Sequence, residues 1–189
     1  MNGVIVIGTT RKPSQRIRSF AKELARVIPR AARLTRGKQS LIEFCEEARS
    51  QGAARVLLIG GYHGNPGRMV FLHYFQGEWL FQAPLVFLKS VVLLRQMRRQ
   101  PIPSSKTLYV IQDTDRDKSV AETFAQALGV SFVKREALSS ERVNVVLLLV
   151  ALHQRKILEF LSLPDNQPVG PTLYVRKVYQ KPRGDWKRW

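Results

Sequence analysis

The feature that most restricts the fold of this chain is a strand-then-helix pattern that occurs twice. Val6, Ile7 and Thr10 align with Val110, Ile111 and Thr114 at a constant offset of 104 residues. Phe20, Ala21 and Leu24 align with Phe124, Ala125 and Leu128 at the same offset. Six matches in one register favour an internal duplication over chance likeness between two βα units. Further on, "RVLLIGG" at Arg55 aligns with "RVNVVLL" at Arg142 at an offset of 87, so the second half is 17 residues shorter there. That is about a helix with its loops. The expectation is an α/β protein of two pseudo-symmetric halves with mixed sheets, the second half lacking one helix.

Local signals fill in this frame. Gly3 to Ile7 reads as a strand, and Pro13 suits the first turn of the helix that follows. Ile17, Phe20, Ala21, Leu24 and Ile28 recur at helical spacing, and Pro29 closes the run. "RAARLT" is a short strand. Ser40 and Glu43 have capping-box spacing ahead of a second helix with Leu41, Phe44, Cys45 and Ala48 inward, closed by Gly52. "RVLLIG" is a buried strand, "GNPG" (64–67) a turn, and "RMVFLHYF" and the chain from Glu78 to Leu94 are extended. In the second half "TLYVIQDT" is a strand and Asp117 to Leu128 a helix. "VSFV", "VNVVLLLVAL", "KILEFLSL" and "TLYVRKVY" read as strands, with a helix inside Glu141 to Leu161 as the alternative.

Charge narrows the function. The 189 residues carry 31 Lys and Arg against 14 Asp and Glu, a net charge of +17. Such an excess calls for a polyanionic partner, nucleic acid first and an anionic membrane surface second. "VNVVLLLVAL" is too short to span a bilayer as a helix and Lys89 interrupts "PLVFLKSVVLL", so no stable membrane association is expected. Arg11, Lys12 and Arg16 follow the first apolar run, which argues against a signal peptide. Cys45 is the only cysteine. It allows no internal disulfide, reads as a buried small side chain, and fits a cytoplasmic location. His63, His73 and His153 form no metal-spaced cluster, and no cofactor or catalytic set is recognisable.

The basic residues concentrate at the front. From Arg11 to Lys38 there are ten of them and one acid, Glu23. Arg18, Lys22 and Arg26 form a stripe at i, i+4, i+8 opposite the Phe20/Leu24 side, with no interleaved acid to pair with. Arg30, Arg33, Arg36 and Lys38 continue it. "GTTRKPSQR" (8–16) lies where that helix begins, so free N–H groups and the helix dipole favour an anion there. With one glycine and no Lys-Ser/Thr ending it is neither a Walker loop nor a dinucleotide turn. A polymer's phosphates fit better. The candidate RNA contacts are Thr10, Arg11, Lys12, Ser14, Arg16, Arg18, Lys22, Arg26, Arg36, Lys38 and Arg68.

Three other stretches compete. "GGYHGNPGR" (60–68) is glycine-rich but leads into a strand, so a hairpin turn is the better reading. "DTDRD" (113–117) fails as a calcium loop, because Lys118 and Phe124 stand where Gly and Glu are needed. Its acids fit a helix N-terminus, and a phosphatase-like pair, Asp113 and Asp115, is the alternative. By the repeat it is the acidic counterpart of the basic loop, which argues for one binding face. The tail, 181–189, interleaves base with Trp186 and Trp189, suiting either base stacking or a frayed end.

"TTRKPSQRIRSFAKELARVIP" and "RLTRGKQSLIEFCEEARSQGAARVLLIGGYHGNPGRMVF" together closely resemble the Brix-domain family, most of all its archaeal single-domain members. The resemblance covers the first half; the second matches in layout. It implies one Brix domain over 1–189, in halves of about 1–100 and 101–180. It also implies a likeness to the anticodon-binding domain of some aminoacyl-tRNA synthetases, and a non-enzymatic role in ribosome biogenesis. The implied partners are rRNA or pre-rRNA and other assembly proteins, with the protein a monomer. The alternatives are a phosphate-ester or nucleotide-handling enzyme centred on Asp113 and Asp115, and a charge-bound membrane-surface or ribosomal scaffold protein.

Overall fold

The computed structural model describes residues 4–99, 107–138, 145–163 and 165–181. The aromatic end of the tail, with Trp186 and Trp189, lies outside them. In the first half β1 (Val4–Thr9), α1 (Gln15–Val27), β2 (Ala31–Arg33) and α2 (Leu41–Ser50) lead into β3 (Ala53–Tyr62), β4 (Asn65–Phe75) and β5 (Glu78–Val92). In the second, β6 (Thr107–Gln112), α3 (Lys118–Leu128) and β7 (Ser131–Phe132) lead into β8 (Val145–Ala151), β9 (Ile157–Ser162) and β10 (Thr172–Tyr179). From 145 onward the segment Glu141 to Leu161 is therefore two strands joined by a turn, not the alternative helix, and 141–144 lie outside the described residues.

The expected sheets are one. Ten strands join in the order β2-β1-β3-β4-β5-β10-β9-β8-β6-β7. Read from either outer edge the order within a half is the same, and β5 and β10 meet antiparallel at the seam. Where the first half has α2, the described part of the second half has only a 3₁₀ turn, Arg135–Ala137.

Strand alternation sorts the side chains. Ile5, Ile7, Leu57, Ile59, Met69 and Phe71 face the same side as Leu108, Val110, Val146, Leu148, Leu158 and Phe160. Helices α1 and α3 both cover that side, through Phe20, Leu24, Phe124 and Leu128. This largest core contains residues of both halves, and Phe71 meets Phe124 edge-to-face at 6.3 Å between ring centroids. On the reverse side α2 lays Phe44, Cys45 and Ala48 over Val6, Val56 and Leu58.

That alternation corrects the repeat. Val6 faces α2, whereas Val110 faces α3, so the two are not equivalent. The matching hydrogen bonds are Leu34 N–H to Ile7 O (3.1 Å) and Val133 N–H to Val110 O (3.0 Å). Likewise Thr10 N–H donates to Ile59 O (2.9 Å) and Asp113 N–H to Val150 O (3.0 Å). The strands thus align at an offset of 103 while the buried helix positions keep 104, so one more residue separates the strand from the inward face of the helix in the second half. The β3 and β8 segments align at 91, not 87. A one-residue slip exchanges the faces of a strand, and two similar apolar runs conceal it.

Three local expectations also shift. Gly8 and Thr9 belong to β1, and Pro13 precedes the N-cap Ser14 instead of opening the helix. The β3–β4 turn is His63-Gly64, with φ of 46° and 76°, and Asn65 already pairs with Tyr62. Positive φ at both central residues is the two-residue hairpin geometry that matches strand twist.

Candidate nucleic-acid interface

The amphipathic spacing of α1 buries Ile17, Phe20, Ala21, Leu24 and Val27 and leaves Arg18 and Lys22 exposed. Strand β2 runs parallel to β1 at the sheet edge and is nearest to that outer side. Between them opens a groove of about 520 Å³ lined by Gln15, Arg18, Ser19, Lys22, Ala25, Arg26 and Arg33. Four cations line it and no carboxylate does. The one acid of α1, Glu23, turns inward, where its Oε2 accepts from Leu94 N–H at 2.9 Å. Burial raises the Glu23 pKa, against that hydrogen bond and the nearby Arg95 and Arg26 charges. Arg18 folds over the start of its own helix, donating to Pro13 O (2.9 Å) and Gln15 Oε1 (3.0 Å), yet stays exposed.

In the loop at the head of α1, Gly8, Thr10 N–H and Ser14 make contacts within the fold. A Cβ on Gly8 would stand 2.7 Å from Phe44 Cε1 and nearer still to Cζ, so this glycine makes room for a core ring. Thr10 N–H is taken by Ile59 O. Ser14 Oγ accepts from Ile17 N–H at 3.2 Å and donates its proton to Gly64 O, which ties the hairpin turn to the helix cap. Ser14 therefore has no proton to donate to an anion. Arg11 and Lys12 remain exposed around it.

Three more of the predicted contacts serve the fold. Arg16 is half-buried and its Nη2 donates to Val91 O (2.7 Å) and Gln96 Oε1 (3.2 Å), bracing α1 against the end of β5. Arg36 is only 5% exposed, and its Nε donates to Gln39 O at 3.1 Å. Burial lowers its pKa, and the neighbouring Arg11 charge adds to the shift. Arg11 Nε reaches the same carbonyl at 3.4 Å. Arg68 lies across Gly60 on the opposite strand, where a Cβ would stand 2.5 Å from its Cγ. By alternation from Met69 it is on the α2 side, away from the groove. Of the stripe and its continuation, Arg18, Lys22 and Arg26 come together and Lys38 is exposed on the loop before α2.

Two residues enter that were not among the candidate contacts, although the sequence places Arg33 in the continuation of the basic stripe. Arg33 joins the groove because β2 pairs with β1 in parallel. Tyr62 is 68% exposed at the hairpin tip, with the His63 ring packed edge-on at 4.3 Å. The Ser14–Gly64 bond holds that tip beside the basic loop. An exposed tyrosine preceding a glycine-flanked turn was a readable signal.

The acids of "DTDRD" diverge. Asp113 pairs with Arg155 at 3.9 Å, and Asp115 accepts from Gln112 Nε2 at 2.9 Å. Buried Asp117 accepts from Leu152 N–H (3.1 Å), His153 N–H (2.9 Å) and Thr114 Oγ1 (3.0 Å), so it fastens the β8–β9 turn. Among the described residues no three His, Cys, Asp or Glu side chains gather as a metal site needs. Two antiparallel steps make β5 parallel to β1, and the antiparallel seam then sets β6 against β1. The register staggers the two halves, so that Ile59, which accepts from Thr10 N–H, is level with Met69, Val86 and Val178, and Val178 lines a cavity with Asp117 at the head of α3. Burial pushes the Cys45 thiol up to about 12, as its place under α2 requires. Among the described residues no helix is long and apolar enough to cross a membrane.

No family model matches the chain. A protein of Aeropyrum pernix described as a "probable Brix domain-containing ribosomal biogenesis protein" is 33% identical over 169 residues, 89% of this chain and 93% of its own. The chain belongs to the Brix-domain family. A Brix-domain relative from Pyrococcus horikoshii, with the same description, is 30% identical over 98% of this chain and 88% of its own. The crystal structure of the probable ribosomal biogenesis protein from Aeropyrum pernix superposes with a TM-score of 0.76 at 28% identity. It covers 91% of this chain and 94% of that one. The likeness to the Brix-domain family, drawn from first-half motifs, thus extends over both halves.

Proposed function

We propose that this Brix-domain protein is a non-enzymatic ribosome-biogenesis factor that binds rRNA or pre-rRNA. The RNA backbone lies along the groove between α1 and β2. The observation that carries this is the groove itself: Arg18, Lys22, Arg26 and Arg33 line it without a carboxylate, and Glu23 is turned away. Like charges held this close repel, and a phosphate chain offsets them. Arg11, Lys12 and Lys38, with the Thr10 hydroxyl, extend the track past the head of α1. Tyr62 offers a face for one unpaired base. Other assembly proteins join on the particle, and the free protein is a monomer in the cytoplasm.

Changing Arg18, Lys22 and Arg26 together to Glu tests the reading. In filter binding, affinity for a pre-rRNA fragment should collapse. Three lost contacts lower the slope of log K against log salt by about 2. The variant should stay folded in thermal melting, since Arg18 and Lys22 are exposed and Arg26 lines the groove. Unchanged affinity in the folded variant would refute the groove as the RNA site.

A further inference from the structure

A second cationic cavity lies in the other half. It measures about 290 Å³ and opens between the start of α3, the β8–β9 turn and β10. Arg116, Lys156, Arg176 and Lys177 line it together with His153. All five are exposed. Its one carboxylate, Asp117, is 2% exposed and occupied by two backbone N–H groups and the Thr114 hydroxyl. Arg116 Nη1 donates to His153 Nε2 at 2.6 Å, which fixes both side chains at the rim. Lys177 Nζ stands 4.7 Å from the centre of the Tyr179 ring. Lys156 and Arg176 have no acidic partner among the described residues. A cavity so built repels cations and favours a phosphate group.

We infer that this cavity is a second phosphate site, so that the protein holds two RNA segments at once, one beside each helix. The inference rests on the RNA-binding reading above. Strand β2, which lines the groove, and β10, which lines the cavity, are five strand spacings apart in the sheet, about 24 Å at ~4.8 Å each. One short strand therefore does not fill both sites. The repeated βα unit thus presents one cationic site in each half, and a folding RNA is gripped at two places.

The test uses the full chain, a fluorescent oligouridylate too short to span both sites, and two charge-reversal variants. One is Arg18→Glu, Lys22→Glu and Arg26→Glu; the other is Lys156→Glu, Arg176→Glu and Lys177→Glu, with a Gln set at the same three positions as the milder control. Wild type should bind two oligonucleotides and each variant one. Wild type held on bead-bound RNA should capture the labelled oligonucleotide, and neither variant should. If the cavity variants, folded by thermal melting, still bind two or still capture the label, the inference is overturned. If the α1 variant loses all binding, the cavity site is refuted while the α1 groove stands. If the α1 variant binds as wild type and the cavity variants lose binding, the groove fails and the cavity stands. ATP and inorganic phosphate serve as competing probes. If either occupies the cavity and the oligonucleotide cannot displace it, the ligand is a free phosphate compound and the inference falls.

Discussion

Gly8 decides between two accounts of the loop at the head of α1, and Gly8→Ala separates them. If the glycine lets a phosphate approach the backbone, alanine weakens RNA binding. If it makes room for Phe44, alanine damages the core and leaves binding alone. The added methyl would stand 2.7 Å from Phe44 Cε1, well inside van der Waals contact. Phe44 is fully buried under α2, against Val6, Val56 and Leu58, so the ring has no free direction to move. Overpacking of this kind costs about 1–3 kcal/mol. In a chain of this size that lowers the melting temperature by about 2–12 °C. Phe44→Leu removes the far end of the ring and should absorb the methyl. In a double-mutant cycle, Gly8→Ala then costs much less on the Phe44→Leu background than on wild type. Calorimetry gives the four melting temperatures, and filter binding at a temperature where all four are folded gives the affinities. A wild-type melting temperature for Gly8→Ala, or lost RNA affinity at an unchanged one, would refute the packing account.

Tyr62→Ala should weaken binding of single-stranded RNA by about 1–3 kcal/mol, the loss of one base stack, with no change in melting temperature. Fluorescence titration with and without the ring checks it; equal affinities would remove Tyr62 from the interface. Glu23→Gln keeps an acceptor for Leu94 N–H and removes a buried charge. Because burial raises the Glu23 pKa in the fold, ionising it costs stability as pH rises above 4.5. Urea titrations should show the Gln variant more stable than wild type at neutral pH and level with it in acid. His73 carries the opposite sign for a base: burial, then the Arg55 charge, lowers its pKa, so wild type loses stability as pH falls below 6.5. His73→Gln should flatten that limb, and an unchanged slope would place the acid sensitivity elsewhere.

Much of the fold was readable because its signals are local. The capping box of α2 forms as its spacing indicates, with Glu43 N–H donating to Ser40 Oγ at 3.2 Å and Ser40 N–H to Glu43 Oε2 at 2.7 Å. The buried positions of α1 and α3 match their helical period. What failed depends on distant partners. Nothing near Val6 or Val110 tells which side of the sheet each faces, since both lie in continuous apolar runs buried on two sides. The union of the halves into one sheet rests on the β5–β10 pairing, and no local pattern marks it. The displaced turn at His63-Gly64 had a local signal, but the Pro in "GNPG" outweighed it.

The division of labour along α1 shows how direction, not composition, makes the site. Arg16 and Arg18 are two residues apart and serve opposite ends. Arg16 stands one turn before Phe20 and two before Leu24, so it shares their inward row and reaches the end of β5. Glu23 lies seven residues after Arg16, returns to that row, and binds Leu94 N–H beside the same turn. The helix thus sends its one acid and one of its arginines inward together, where each satisfies backbone at the β5 terminus. Arg18, Lys22 and Arg26 keep the outer row, and among the described residues none of them makes a salt bridge, although the Arg26 charge is felt at Glu23. Moving Glu23 one position back, to the place of Lys22, would turn it by about 100°, toward the groove, and would offset the cationic charge there. The cationic character of the groove is therefore a consequence of where the inward row places Glu23, and the same contact that secures the β5 end keeps the groove free of a carboxylate.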